Sequence, residues 1–329
     1  MRLSGARFVE QVVSWPMLVI ILVVCTQPAS AQSGNEFHRT IEVSVADTVD
    51  LDVELSEGDL QIVYGRDGQM SITTIAQHPV GSTEGDECPV AAPAITQDGN
   101  HVKIRQSSGA TCPQQRNRVL YRIDVPYRTE LRSVLGIGKQ TIMGIMGPVE
   151  ALTNKGDIKV AYISKGVAVK AASGDLYLEM IGERVDARTG SGNISCLRAA
   201  QGASVETGDG DIVLMVVGPS AATVKKGNGR IEVGGARGTF SGSTDGGDLH
   251  IKALPHDDWV LKSATGNIHV ELPPAAGFEV DATTTSGELA IKRDDIARSD
   301  SAVRHFHQKV NGGGKQIEVR TESGKIVIG

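Results

Sequence analysis

Four sets of side chains in this 329-residue chain have types and spacings that could support chemistry. The first is a row of short polar residues, each directly after a glycine: Asp157, Asp175, Asn193, Asp211, Asp248, Asn267 and Glu288, with Arg230 in the same place between Asp211 and Asp248. Regularly spaced carboxylates can hold calcium in a β-roll, but that motif, G-G-x-G-x-D-x-U-x, sets its Asp two positions before the aliphatic residue. Here the acid directly precedes the aliphatic residue and a cation breaks the row. The expected role is therefore hydrogen bonding of Asp and Asn side chains to nearby backbone. The second set is His250 and His269, each three residues after a glycine of that series. If the two segments stack, the rings lie about 5 Å apart with Glu232 one repeat earlier, a surface arrangement open to zinc. Solvent-facing positions accept any polar residue, so the sequence assigns no metal and no cofactor. The third set is the acid pairs Asp257-Asp258 and Asp294-Asp295. Paired acids can cleave glycans, but both pairs fall between repeats and are expected to be solvated turns. His305-Phe306-His307 lies in an irregular stretch and is expected to be loop. The fourth set is the cysteines, whose meaning depends on compartment.

The start of the chain supplies that compartment. Arg2 and Arg7 precede a mostly apolar stretch over residues 12–25, followed by Ala29-Ser30-Ala31. This is the layout of a secretory signal peptide over residues 1–31, cleaved before Gln32. The alternative is a lipoprotein signal at Cys25, after Leu22-Val23-Val24. A permanent span is not expected, because the run is shorter than the ~18–20 residues required and Pro16 interrupts it. Export to an oxidising compartment (periplasm, cell surface or medium) favours a disulfide between Cys88 and Cys112, which flank a turn-rich excursion and both precede proline. Two free surface thiols are the alternative.

Composition narrows the classes. The 39 Gly are well above the average share, yet they follow no Gly-X-Y period and come with only 12 Pro, which excludes collagen and Pro/Gly disorder. A 40% hydrophobic fraction is too high for a disordered chain, and a net charge of −6 argues against a nucleic-acid partner. The chain has no G-x-S-x-G, H-E-x-x-H or C-x-x-C, and the Gly-rich stretch SGSTDGGD over residues 241–248 lacks phosphate-loop spacing. No catalytic residues are assigned and no enzyme is expected.

The elements that must position these residues are legible as a repeat. The unit glycine, polar, aliphatic, any, aliphatic recurs from Gly156, Gly174, Gly192, Gly210, Gly229, Gly247, Gly266, Gly287 and Gly324, at intervals of 18, 18, 18, 19, 18, 19, 21 and 37. Seven, five and three positions upstream stand Val149, Ala151, Thr153; Val167, Val169, Ala171; and Val185, Ala187, Thr189. Each repeat is thus two period-2 runs around a glycine corner, which means two strands with one buried face. One unit cannot bury its aliphatic face alone, whereas stacked copies form a continuous core of Val, Ile, Leu, Ala and Thr. A near-constant interval fits a coil returning to register better than a sandwich of hairpins with variable loops. The expected fold is all-β, a parallel single-chain β-solenoid (β-helix) with about 18 residues per coil. It extends over 131–329 and is preceded by an N-terminal β region over 32–130. Gly138 starts a poorer copy, GDLQI from Gly58 stands alone, and the long interval from Gly287 to Gly324 is expected to hold a degenerate coil. Cys196 falls on an inward position and is expected to be a buried free thiol.

The ordered G-[DN]-[IL]-x-[VIL] copies preceded by V-x-A-x-T resemble a family of bacterial exported adhesin-like proteins, a β-strand-repeat domain of unknown function. LPPAAGFEVDATTTSGELAI (272–291), the closing GGGKQIEVRTESGKIVI and YRIDVPYRTEL before the first good coil extend the resemblance to roughly residues 41–329. It implies a β-helical cell-envelope protein without catalytic residues, in an adhesive or structural role toward an envelope polysaccharide or surface protein. A polysaccharide-binding or polysaccharide-cleaving β-helix is the alternative, and a polymerising envelope scaffold a third. The repeat register makes a direct prediction: Leu176→Asp unfolds the stack by burying a charge, while Tyr177→Asp on the outer face is mild. Equal melting temperatures for the two variants would refute the register.

Overall fold

A computed structural model describes residues 36–77, 92–106, 118–215, 218, 220–224, 229–292 and 304–329. The signal segment with Cys25 and Gln32, the pair Cys88 and Cys112, and Asp294-Asp295 lie outside the described residues. The expectation of an all-β chain holds: the described residues contain strands and no helix, so none is long and apolar enough to cross a membrane.

Two 14-stranded sheets face each other. One collects the strands before each corner glycine (the leading sheet), the other those after it (the trailing sheet). In the leading sheet Val149 pairs with Val167, Val167 with Val185 and Val185 with Ala203, all parallel and each one repeat interval apart. In the trailing sheet Ile158, Leu176, Ile194 and Ile212 follow at the same interval, after which Ile212 pairs with Ile231, one position further on. Alternation buries one face of each strand: Val149, Ala151, Ile158, Val160, Leu176 and Leu178 are all core residues, while Tyr177 and Lys159 point outward. Cys196 is fully buried and free, and burial pushes its thiol up to about 12.

Two columns lock the corner. The corner glycines Gly156, Gly174, Gly192 and Gly210 share φ between +139° and +145°, a conformation L-residues avoid. A Cβ on any of the last three would collide with the carbonyl oxygen of the corner glycine one coil earlier. Behind them runs a buried hydroxyl column with Thr153, Thr189, Thr207, Thr244, Ser263, Thr284 and Thr321. The Thr207 hydroxyl donates to the Gly192 carbonyl at 2.9 Å, and in later coils the hydroxyl both donates to a neighbouring corner and accepts from its own, as Ser263 does to the Gly247 carbonyl at 3.2 Å and from the Gly266 amide at 2.9 Å. Threonine therefore sits inside because its methyl packs while its hydroxyl satisfies corner backbone that the ladder leaves over. Gly138 reads as a poorer copy because Gln140 replaces the first aliphatic residue. The buried Gln140 amide takes the Ser133 hydroxyl on its oxygen at 2.6 Å and donates to the Leu152 carbonyl at 2.7 Å.

The core is not uniformly aliphatic. Phe240, Trp259 and Phe278 are fully buried in the C-terminal half. Gly242 makes room for the first of them: a Cβ there would press on the Phe240 ring and on Leu249.

The ends depart from simple stacking. Strands Thr48–Glu57 and Asp59–Tyr64 do not stand alone: they lie between the coil of His101–Arg105 and Arg118–Val125 on one side and that of Arg128–Ile137 and Gln140–Met143 on the other. The sheets thus run unbroken across residue 130. At the other end, Lys315–Thr321 and Ile326–Ile328 insert between the coil of Trp259–Ser263 and Ile268–Glu271 and that of Phe278–Thr284 and Leu289–Ile291. The interval from Gly287 to Gly324 therefore holds no degenerate coil among the described residues. It doubles back instead, and His305-Phe306-His307 is not loop but part of the edge strand His305–Val310, antiparallel to Phe278–Thr284. Its outer histidines meet acids of the neighbouring strand, His305 with Asp281 and His307 with Glu279, each at 3.1 Å. Antiparallel strands also close the N-terminal edges, Glu36–Ser44 in the trailing sheet and Ala94–Asp98 in the leading sheet.

Gly192→Ala should destabilise by about 2–4 kcal/mol through collision and backbone strain. Gly235, at φ +66° with open space around it, should lose only about 1 kcal/mol as Ala, from the left-handed conformation alone. Similar shifts of the two urea midpoints would rule out the close-contact column.

Candidate functional site

The outer face of the trailing sheet carries three features, each built by the register. The first is the polar row after the corner glycines. Asp157 Oδ1 accepts from the Asp175 amide at 3.1 Å, Asp175 from Asn193 at 2.7 Å, Asn193 from Asp211 at 2.9 Å and Asp211 from Arg230 at 2.7 Å. Asp248 Oδ1 accepts from Asn267 at 2.8 Å, and Asn267 Oδ1 from Lys325 at 3.0 Å. Each short side chain thus binds the backbone N–H of the same position one coil on. Asp and Asn alone have an acceptor of this reach. A residue such as Arg230 or Lys325 can take the place because its own amide still donates to the side chain one coil earlier, and the Lys325 cation pairs with Glu288 of the adjacent coil at 3.0 Å. The expected bonding to backbone holds, with the partner in the next coil. These oxygens are committed to amides rather than gathered around a cation.

The second feature is the histidine pair. His250 and His269 stand in direct register, with ring centroids 4.9 Å apart and planes at 14°. Glu232 occupies the same column one coil earlier, but the carboxylate that meets the rings is Glu271. Its Oε1 lies 3.1 Å from His250 Nε2 and 3.9 Å from His269 Nε2, and its Oε2 lies 3.1 Å from Lys252 Nζ. Hydrogen bonds from Lys252 and then His250 hold the Glu271 carboxyl below its usual range. Partial burial, then the neighbouring His250, lowers His269, which favours its neutral form. Sequence reasoning missed Glu271 although the signal was present: His269-x-Glu271 is an outward-outward pair by the same alternation that placed the histidines. A surface groove of about 390 Å³ adjoins the pair, lined in part by Arg230, Asp248, Asn267 and Lys325.

The third feature was not anticipated. Where the trailing strands bend into the return, Tyr162, Met180 and Arg198 recur one coil apart with φ of +59°, +54° and +64°. The backbone there is left-handed without glycine, and the Tyr162 and Met180 side chains project outward at 55% and 40% exposure. Gly144 takes the same place one coil earlier at φ +76°, against Tyr64. Exposed Tyr64 meets exposed Tyr127 edge to face at 5.5 Å.

Of the paired acids, Asp257-Asp258 is tied to the C-terminal segment. Asp258 Oδ1 accepts the Gln316 amide at 2.9 Å and Asp257 pairs with Lys315 Nζ at 2.9 Å. Both hold the inserted C-terminal coil against the stack.

A family model described as Toastrack DUF4097 matches residues 50–329. The chain belongs to the Toastrack DUF4097 family. The resemblance seen in the repeat residues is thereby shown. No functionally curated protein matches the chain. Among solved structures, this Toastrack chain is similar to an adhesin candidate from Parabacteroides distasonis, at 14% identity and a TM-score of 0.41 over 72% of this chain and 97% of that one. A candidate cell adhesion protein from Clostridium sporogenes shares 14% identity, with a TM-score of 0.24 over 89% and 98%. A candidate lipid-binding protein from Parabacteroides distasonis shares 10%, with a TM-score of 0.39 over 89% and 97%.

The polar row predicts a selective response. Asp175→Asn keeps an acceptor and should leave stability unchanged, whereas Asp175→Ala removes it and should cost about 1 kcal/mol. Thermal or urea unfolding checks this, and equal losses for both would point to charge instead of the ladder.

Proposed function

We propose that this Toastrack DUF4097 chain is an exported, non-enzymatic cell-envelope protein that uses a single-chain parallel β-solenoid as a rigid binding surface. The coil length is about 18 residues, the separation across which Asp157 and Asp175 bond. The role is adhesin-like, toward an envelope polysaccharide or a surface protein. The observation that carries this reading is the left-handed corner row. An L-residue at positive φ costs about 1–2 kcal/mol, and such strain concentrates where function requires a particular presentation. Here it repeats in three successive coils and turns a tyrosine and a methionine outward beside the exposed Tyr64 and Tyr127 pair. Tyrosine gives a large, stiff contact area with a polar tip, suited to protein and sugar surfaces alike. The pairing of Ile158 with Leu176, and of Ile212 with Ile231 one position further on, supports the coil length. The signal-like start of the sequence supports export.

Cleavage of polysaccharide is the alternative. Of the two acid pairs that the sequence offers for it, Asp257 and Asp258 are engaged in holding Lys315 and the Gln316 amide, which favours binding over cleavage. The purified protein is tested against envelope and extracellular polysaccharides and immobilised envelope proteins, reading both retention and polymer length. Retention without chain shortening is expected, reduced at least tenfold in a Tyr162→Ser, Met180→Ser variant of unchanged melting temperature. Chain shortening would overturn the non-enzymatic reading. Retention unaffected by the double substitution would remove the corner row as the surface.

A further inference from the structure

We propose that His250, His269 and Glu271 form a site for a divalent transition metal, of the zinc class, on the outer face of the trailing sheet. The three donors come together for a reason built into the fold. Parallel pairing of Leu249–Lys252 with Ile268–Glu271 sets His250 directly over His269, and alternation along the second strand brings Glu271 to the same face two residues on. One ligand atom from each residue lies within 4.8 Å of the other two. A single oxygen, Glu271 Oε1, stands 3.1 Å from one imidazole nitrogen and 3.9 Å from the other.

The size of the adjustment is small. Tetrahedral zinc with bonds of about 2.0–2.1 Å holds its ligand atoms roughly 3.4 Å apart. The donors therefore need to close by little more than an ångström. The side chains of His250, His269 and Glu271 are 38%, 42% and 34% exposed, so their torsions can supply that movement while the strands stay fixed. Lys252, bonded to Oε2 at 3.1 Å, steadies the carboxylate from outside and leaves Oε1 toward the rings, the kind of outer contact that orients metal ligands. The donor set selects the metal. Two imidazole nitrogens and one carboxylate oxygen suit zinc, nickel or copper, and exclude calcium and magnesium, which require oxygen ligands. Three protein ligands leave a fourth position for water or a further ligand, and the two histidines also line the groove shared with Asp248, Asn267 and Lys325. This inference is independent of the corner row.

The test uses the full chain with equimolar zinc chloride, following the histidine ring resonances by NMR and heat by calorimetry. Shifts of two histidine spin systems are expected, both absent in His250→Ala and in His269→Ala, with at least tenfold weaker binding in Glu271→Gln. Zinc should raise the melting temperature of the parent and of a His305→Ala, His307→Ala control, but not of the two single variants, whose metal-free melting temperatures stay at the parent value. Magnesium and calcium should shift nothing. No histidine shift at equimolar zinc would overturn the site. So would binding that survives His269→Ala undiminished or disappears in the His305→Ala, His307→Ala control.

Discussion

The structure depends on one close approach: the corner carbonyl of each coil occupies the space where a Cβ on the next corner residue would sit. Glycine at that point lets successive backbones close to strand-pairing distance on both sheets at once. Spacing in sequence is then converted into stacking in space. With the corner fixed, the stretch returning the chain can vary only by a single position in the regular part, as it does between the Ile194–Ile212 and Ile212–Ile231 pairs. Every position in the coil becomes a column, and the properties of the molecule are properties of columns.

The columns use repetition in different ways. Apolar columns make the core. The Thr/Ser column is buried yet polar, and it is tolerated because from Thr189 onward each hydroxyl closes a hydrogen bond at a corner, while Thr153 accepts from the Gln140 amide. The Asp/Asn column ties each coil to the next through a side-chain acceptor and a backbone donor. It resembles a ligand row only when the partner of each oxygen is ignored. Position in the column decides the meaning of a residue more than its type: Asp258 binds backbone, Glu271 meets two histidines, and neither fact follows from being a carboxylate.

Much of this was legible in the sequence. The glycine interval, the inward aliphatics and buried Cys196 follow from period-2 alternation around a fixed corner, which is a local signal. The stacking of His250 on His269 follows from the same interval. What could not be seen locally is which coil neighbours which. Ile317 pairs with both Trp259 and Val280, each more than one repeat earlier in the chain, and no residue in the C-terminal segment announces an insertion between two coils already made. The same holds for Gly58, whose isolation in sequence hid its place inside the stack. The left-handed row at Tyr162, Met180 and Arg198 was obscured because its members share backbone shape and not side-chain chemistry. The buried Phe240 and Trp259 ran against an aromatic-poor composition, since a small number of rings concentrated in one stretch leaves the average almost unchanged.

The inserted terminal coil has a consequence for the order of assembly. A repeat protein built by simple stacking can add each coil to the previous one as the chain emerges from synthesis, N-terminal units first. Here the coil formed by the C-terminal segment from Lys315 onward is not the last layer. The strands Trp259–Ser263 and Ile268–Glu271, paired on one side with the coil before them, receive their neighbours on the other side only when Lys315–Thr321 and Ile326–Ile328 arrive. Closure of this end therefore waits until residues 315–328 have been made. A polypeptide cut short before residue 315 would lose an interior layer, leaving unsatisfied edges in both sheets.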